Sequence, residues 1–465
     1  MWKALDEFKK ITKVPRPSWK EWKIRTYLSD WAVSRWYEHK SDSYGNIVIY
    51  VPSLRYPDSS AVILQAHMDM VCVKSNDSAI DFENDALDIF EEDWFLKAKW
   101  TSLWADNWVW IALAMTAADL DERPNLELLF TVAEEIGLLG ALNCDFTLLK
   151  WKKIINVDSE NENEICISSA WWARICVSRT IEQISATLPQ YNIKIKGLKW
   201  WHSWVEIHKN HANSAMMIVE FLCMYPYNLE LISISSWTAD NVIPSSAEVI
   251  VWCANPELIK ENLDKFLSSQ KEIYDCPNVE YEISLASNIS PYAIDLKDLL
   301  LEKIRWMKIW VLSYSTKISW LVQTSMNLWI LSLDANKLEI TYLPRSSDMS
   351  EFSKLLNDLE RYYSSDSYIF ENHWSYPGWQ DDPNWVLVSV AKESFMEVNG
   401  KYPEIIAVHA WLECWALVAW LGVWASAISI GPDMYDIHSI KERLNLESLD
   451  KFERIITSLL AKLVH

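Results

Sequence analysis

Glycine is what this chain lacks: 8 residues in 465, where ordinary usage of ~7% would supply about 33. Only glycine adopts positive φ without steric cost and lets two backbones touch, so a fold of this length cannot dispense with it. Paired cysteines are also missing. The eight cysteines (Cys72, Cys144, Cys166, Cys176, Cys223, Cys253, Cys276, Cys414) stand singly, with no CxxC and no secretory leader ahead of MWKALDEFKKITKV, so a reducing cytoplasm is the expected compartment. Basic residues are few, 43 against 64 acidic ones for a net charge of −21. That balance argues against nucleic acid or an anionic membrane as partner. There is no internal repeat and no low-complexity tail.

The excess is tryptophan, 29 residues, which with the glycines makes 37, close to the glycine count expected for this length. The largest side chain cannot do the work of the smallest. The reading that follows is that most of these positions are glycines in the organism's own protein, with UGA translated as Trp where the source reads Gly. The alternative is a truly tryptophan-rich chain. Half of all residues are apolar, enough for a sizeable core and two or three domains.

Helical spacing of Leu5, Phe8 and Ile11 predicts a helix over 2–13 that stops before Pro15 and Pro17, and a second follows over 19–36. Strands are expected at 46–51, 61–66, 126–132 and 153–157, a helix at 110–119, and a solvated acidic loop at DFENDALDIFEED. Strands alternating with helices imply a sheet whose ligands gather at the carboxyl ends of its strands. From about 181 the pattern changes to YNIKIKG and AEVIVWC strands with helices at 212–224 and 256–270. This reads as an inserted α+β domain ending near YPGWQDDPN, after which a final helix spans 385–399. The uncharged run 414–432 is as long as a membrane span, but its small polar residues and the following His438 favour a buried helix and strand.

The chemistry lies in a scattered set of ligand-type residues. HMD places His67 and Asp69 two apart at a strand end, where one can bind a metal and the other orient it. Asp106 lies in ADN, Glu134 and Glu135 follow a strand, Asp158 ends INVD, and His438 lies in YDIHS. Each alone is more often a surface or capping residue. Together they are a nitrogen and oxygen set suited to zinc or a similar ion. Five ligands with one acid shared would hold two metals ~3.5–4 Å apart, leaving a further acid as general base. No GxSxG, P-loop or GxGxxG stands in the sequence as written.

The order HMD, ADN, EE, NVDSE and IHS, with KGLKWWHSWVEIHKN, closely resembles the aminoacyl-histidine dipeptidases (the cytosolic non-specific dipeptidase group), within the di-zinc metallopeptidases that also include glutamate carboxypeptidase and aminoacylase. The resemblance runs from ITKVPRPS to SIGPDMYDIHSIKERL. Where that family has glycine, this chain has Trp104, Trp108, Trp110, Trp200, Trp201, Trp204, Trp411 and Trp415; Trp379 in YPGW matches a real tryptophan.

The resemblance implies an α/β fold: a catalytic domain with a mixed, largely parallel sheet and helices on both faces, formed by residues 1–180 and 385–465, plus an α+β lid and dimerisation domain at 181–384. It implies metal ligands His67, Asp106, Glu135, Asp158 and His438, with Asp106 bridging. Asp69 would hold His67, and Glu134 would be the general base. Substrate contacts would come from His202, Asn241 and Arg345, the last suited to a terminal carboxylate. Two divalent ions are expected, zinc first, with cobalt or manganese possible. Partners would be dipeptides and a second copy of the chain. The expected activity is hydrolysis of Xaa-His and other dipeptides, with an aminoacylase- or carboxypeptidase-type amide hydrolase or a silent peptide-binding relative as alternatives. One departure is Ala133, where many relatives carry a polar residue before the two glutamates.

Overall fold

The wholly buried run Val62–His67 (VILQAH) lies at the centre of a nine-stranded sheet. The computed structural model describes residues 3–464 except 188, 200, 203–206, 210, 237–241, 296–299, 317–321, 335, 365–366, 409–411 and 423. Two compact units emerge: Met1–Ser169 with Trp379–His465, and Ala170–Gly378.

In the first unit the strand order is Glu38–Ser41, Ile47–Val51, Leu126–Thr131, Val62–His67, Lys153–Asn156, Ser426–Ser429, Glu164–Ser169 and Trp379–Gln380, with Glu404–Val408 also paired to Glu164–Ser169. The central pairs are parallel and several outer ones antiparallel, so the sheet is mixed with a parallel middle. Strands buried on both faces need apolar residues at nearly every position, which is why VILQAH and LELLFT do not alternate. Helix Cys414–Leu421 packs with Val48, Ile63, Leu129 and Ile154 on one face. Lys3–Ile11, Ala105–Ala117, Val386–Asn399 and Leu446–Lys462 pack together on the other. The edge strand Glu38–Ser41 (EHKS) is mostly exposed and charged, which discourages edge-to-edge pairing.

The second unit is α+β. Its eleven-stranded sheet, every pair antiparallel, shares one core with helices Ser214–Met224, Pro256–Ile273 and Met349–Tyr363. Side chains of Asn213, Asn255 and Asp348 accept from the first-turn amides of these helices, satisfying donors that a helix start leaves open.

Three sequence expectations change. The helix expected at 110–119 begins at Ala105, and twelve of its thirteen residues are buried, so it shows no apolar stripe from which to read its start. The acidic loop ends in a strand, Ile89–Glu92, paired with Phe95–Ala98. A further helix, Leu446–Lys462, follows the one expected to be last and buries Leu449, Phe452, Ile456 and Leu459 among others. The uncharged run 414–432 divides into helix Cys414–Leu421 and strand Ser426–Ser429. Among the described residues no helix is long and apolar enough to cross a membrane.

Candidate metal centre

Three neighbouring strands and one helix start meet at one place. Val62–His67 delivers His67, the segment after Leu126–Thr131 delivers Glu134 and Glu135, Lys153–Asn156 leads to Asp158, and the kinked start of Ala105–Ala117 presents Asp106. The fifth ligand-type residue arrives from the far end of the chain. His438 sits between Met434–Tyr435 and Arg443–Asn445, and the latter strand pairs with Phe95–Ala98 in a four-stranded sheet. That small sheet ties the His438 segment to the chain leading into Asp106.

Asp106 is the hub. Its Oδ1 lies 3.3 Å from His67 Nε2 and its Oδ2 3.2 Å from His438 Nε2. His67 Nε2 is also 3.6 Å from Asp158 Oδ1 and 3.9 Å from Glu134 Oε2, while His438 Nε2 is 3.1 Å from Glu135 Oε1. Donor atoms of His67, Asp106 and Glu135 lie within 4.8 Å of one another. All seven residues expected at the centre from the sequence are thus brought together in the first unit.

Electrostatics follow from crowding acids in a buried place. Burial alone would push His67 down, but Glu134, Asp106, Asp158 and Asp69 hold it well above the usual histidine range. Hydrogen bonds to Asp106 and Glu135 push His438 up to about 11. Burial raises Glu134, reinforced by Asp158, Glu135 and Glu413, and it raises Glu135 and Asp158 as well. Asp69 goes the other way: burial opposes ionisation, but His67, Ser18 and the Glu134 amide outweigh it. Acids that repel one another around two imidazoles could hold a cation.

Beyond Asp69, which the sequence already assigns to His67, the supporting contacts were not legible in advance. Asp69 accepts from Ser18 Oγ at 2.7 Å, from the Glu134 amide at 2.9 Å and from the Glu135 amide at 3.2 Å, besides lying 3.4 Å from His67 Nδ1. It therefore orients the histidine and the two glutamates at once. Asn107 donates to Asp158 at 2.5 Å. Beneath the strands, Thr131 donates to Glu413 at 2.7 Å, Gln65 also donates to Glu413, and Asn156 donates to Gln65 at 2.6 Å. Ser18 lies in VPRPS, Asn107 in ADN and Glu413 in HAWLEC, all within the segments that carry the resemblance. Ala133 has φ 50° and donates its amide to Glu21 at 3.0 Å. Its conformation is held by that backbone contact, which needs no polar side chain at 133.

Trp104, Trp108 and Trp110 are completely or almost completely buried beside this centre. Their indole N–H groups find no acceptor among the described residues. The Arg16 guanidinium, fully buried and equally without a hydrogen-bond partner there, lies 3.3 Å from the Trp108 ring centroid. Burial drives that guanidinium well below the usual arginine range, and the Asp69 and Glu21 carboxylates only partly offset this.

The three expected substrate contacts belong to the second unit's stretch of chain, Ala170–Gly378. Asn241 lies outside the described residues. His202 belongs to the short strand Trp201–His202, paired with Val242–Ile243 in the second unit. Arg345 lies on Lys337–Ser346 of the same unit, opposite Ser325 and Trp172, and burial drives its guanidinium well below the usual arginine range.

No family profile matches the chain. It is 30% identical to the cytosol non-specific dipeptidase of Escherichia coli K12 over 98% of its own length and 97% of that protein. Its fold superposes on the aminoacylhistidine dipeptidase of Vibrio alginolyticus with a TM-score of 0.90, covering 98% of this chain and 96% of the other at 24% identity. The aminopeptidase PepT of Bacillus cereus gives 0.57 at 14% identity, over 100% and 98% of the two chains.

Proposed function

We propose, from the premise that the chain belongs to the aminoacyl-histidine dipeptidase (cytosol non-specific dipeptidase) group of metallopeptidases, that its acidic centre holds two divalent ions and that Glu134 carries the proton transfers. The protein is a metal-dependent dipeptidase. The observation supporting a two-ion centre is the orientation of Asp106, whose two oxygens face two different histidines at 3.3 and 3.2 Å. His67 and Asp158 would hold one ion and His438 and Glu135 the other, with Asp106 shared. The imidazole and carboxylate donors fit zinc, and cobalt or manganese could substitute.

When bound, the ions supply Lewis acidity, lowering the pKa of a water to about 7 and polarising the scissile carbonyl. Glu134, which makes no direct contact with His438 or Asp106 among the recorded bonds, accepts a proton from the attacking water. It returns that proton to the amine nitrogen as the C–N bond breaks, giving one free carboxylate and one free amine. Asp69 keeps His67 in place through Nδ1, leaving Nε2 directed at the centre. Arg345, with His202 and Asn241, is assigned to the substrate, its guanidinium fork matching a terminal carboxylate. The cytoplasm is the proposed compartment, supported by eight unpaired cysteines. A homodimer formed through the inserted unit is the proposed assembly, to be checked by sedimentation.

The test is a substrate panel on metal-loaded protein: β-alanyl-histidine, several α-dipeptides, a tripeptide and an N-acetyl amino acid. Dipeptides should be cleaved well ahead of the other two. Preferential cleavage of the N-acetyl amino acid would replace this reading with an aminoacylase one, and metal binding without any turnover would leave a peptide-binding relative.

A further inference from the structure

We propose that Glu442 is a positioning residue for Asp106, fixing the bridging acid through the backbone that leads into it and locking it to the His438 segment. This rests on the two-ion reading above. Glu442 is 3% exposed, and its carboxylate accepts three consecutive amides: Leu103 N at 2.9 Å and Trp104 N at 3.2 Å to Oε2, and Ala105 N at 2.8 Å to Oε1. The next residue along the chain is Asp106. These are N–H groups at a helix start, aligned so that they converge on an anion, and bonds to a carboxylate are about twice as strong as neutral ones.

Glu442 stands four residues beyond His438, which itself reaches Asp106 Oδ2. The chain therefore makes two crossings between the same pair of segments. One is a side-chain contact at the centre and the other a carboxylate cradled by backbone behind it. Pairing of Arg443–Asn445 with Phe95–Ala98 adds a third tie along the same seam. Without Glu442, three buried amides lose their acceptor, and Asp106 loses the anchor that aims Oδ1 and Oδ2 at separate histidines.

A merely structural carboxylate would affect folding alone. The comparison is Asp381, buried in the same unit, which accepts from Ser426 Oγ at 2.7 Å and Ala427 N at 2.8 Å and touches no ligand among the recorded bonds. In the full chain, Glu442→Ala and the milder Glu442→Gln are measured beside Asp381→Ala. The readouts are chelator-competition titration of metal affinity, the visible spectrum of the cobalt-substituted protein, kcat and KM separately, and thermal melting. Glu442→Ala should lose roughly 10–100-fold in affinity for one of the two ions or in kcat, with an altered cobalt spectrum and KM within about twofold. Glu442→Gln, which keeps one acceptor oxygen, should fall between, so that a poorly folding alanine variant does not remove the test. Asp381→Ala should lower the melting temperature alone. The inference is overturned if both Glu442 variants bind metal and turn over like the parent while melting lower. A parent chain that binds no metal at all would overturn the two-ion reading and this inference with it.

A different observation carries a second inference. Twelve described residues other than glycine have left-handed φ, and six of them are tryptophans: Trp19 (68°), Trp36 (61°), Trp94 (66°), Trp100 (68°), Trp104 (64°) and Trp310 (79°). A bulky residue is rare in that region, whereas glycine enters it freely. Packing does not explain the choice, because Trp19, Trp36, Trp94 and Trp100 are 61, 95, 63 and 53% exposed. We infer that these six are glycines in the source organism's protein. Peptide mass spectrometry of protein from that source should find glycine at all six and tryptophan at Trp379; tryptophan at the six would overturn the assignment. Independently, a recombinant chain carrying the six glycines should melt higher than the literal chain, and equal or lower melting would count against it.

Discussion

Glu134→Gln should lower kcat for dipeptides by roughly 10²–10⁴-fold, the span typical of a lost general base, while two equivalents of metal remain bound. The distinction from its neighbour is geometric. Glu135 Oε1 lies 3.1 Å from His438 Nε2, whereas Glu134 Oε2 lies 3.9 Å from the other histidine, at His67 Nε2. Both amides are pinned by Asp69, so the adjacent side chains are sent to different tasks from one fixed backbone. Glu135→Gln should accordingly reduce metal stoichiometry, and Glu134→Gln should not. Kinetics and metal content measured on the same preparations decide it. Unchanged turnover in Glu134→Gln, or metal loss equal to that of Glu135→Gln, would remove Glu134 from the role of base.

Stripping the metal should lower the melting temperature by roughly 5–10 °C per ion lost, since a ligand at 100 times its Kd stabilises by about 2.7 kcal/mol and a domain of this size shifts roughly 2–4 °C per kcal/mol. Burial and mutual repulsion raise Glu134, Glu135 and Asp158. In the absence of cations these groups must take up protons or repel one another, and bound ions remove both costs. Calorimetry with chelator, followed by zinc add-back, should reverse the shift completely. Identical melting curves with and without chelator would show that the acids are not a metal site.

The centre was readable because its residues sit in short motifs at strand ends, where side-chain period and chain direction already limit the options. His67 after VILQA and Asp158 after KIINV are of this kind. The parts that could not be read are the long-range ones. Ser18 meets Asp69 across 51 residues and Glu442 meets Leu103 across 339, and no local period announces such a pairing. The start of Ala105–Ala117 is hidden for another reason: buried all round, the helix has no polar face to mark its first turn. Tryptophan obscured matters further, since Trp104 stands where its left-handed φ of 64° is the signature of glycine.

The place of Ser426–Ser429 in the sheet also bears on synthesis. That strand lies between Lys153–Asn156 and Glu164–Ser169, so the ribosome must deliver most of the chain before the middle of the first sheet can close. His438 follows a few residues later. A nascent or prematurely terminated chain ending in the inserted unit therefore has neither a closed sheet nor a complete set of ligands. On the proposed ligand set, a chain cut short before His438 should therefore bind fewer ions and fail to turn over.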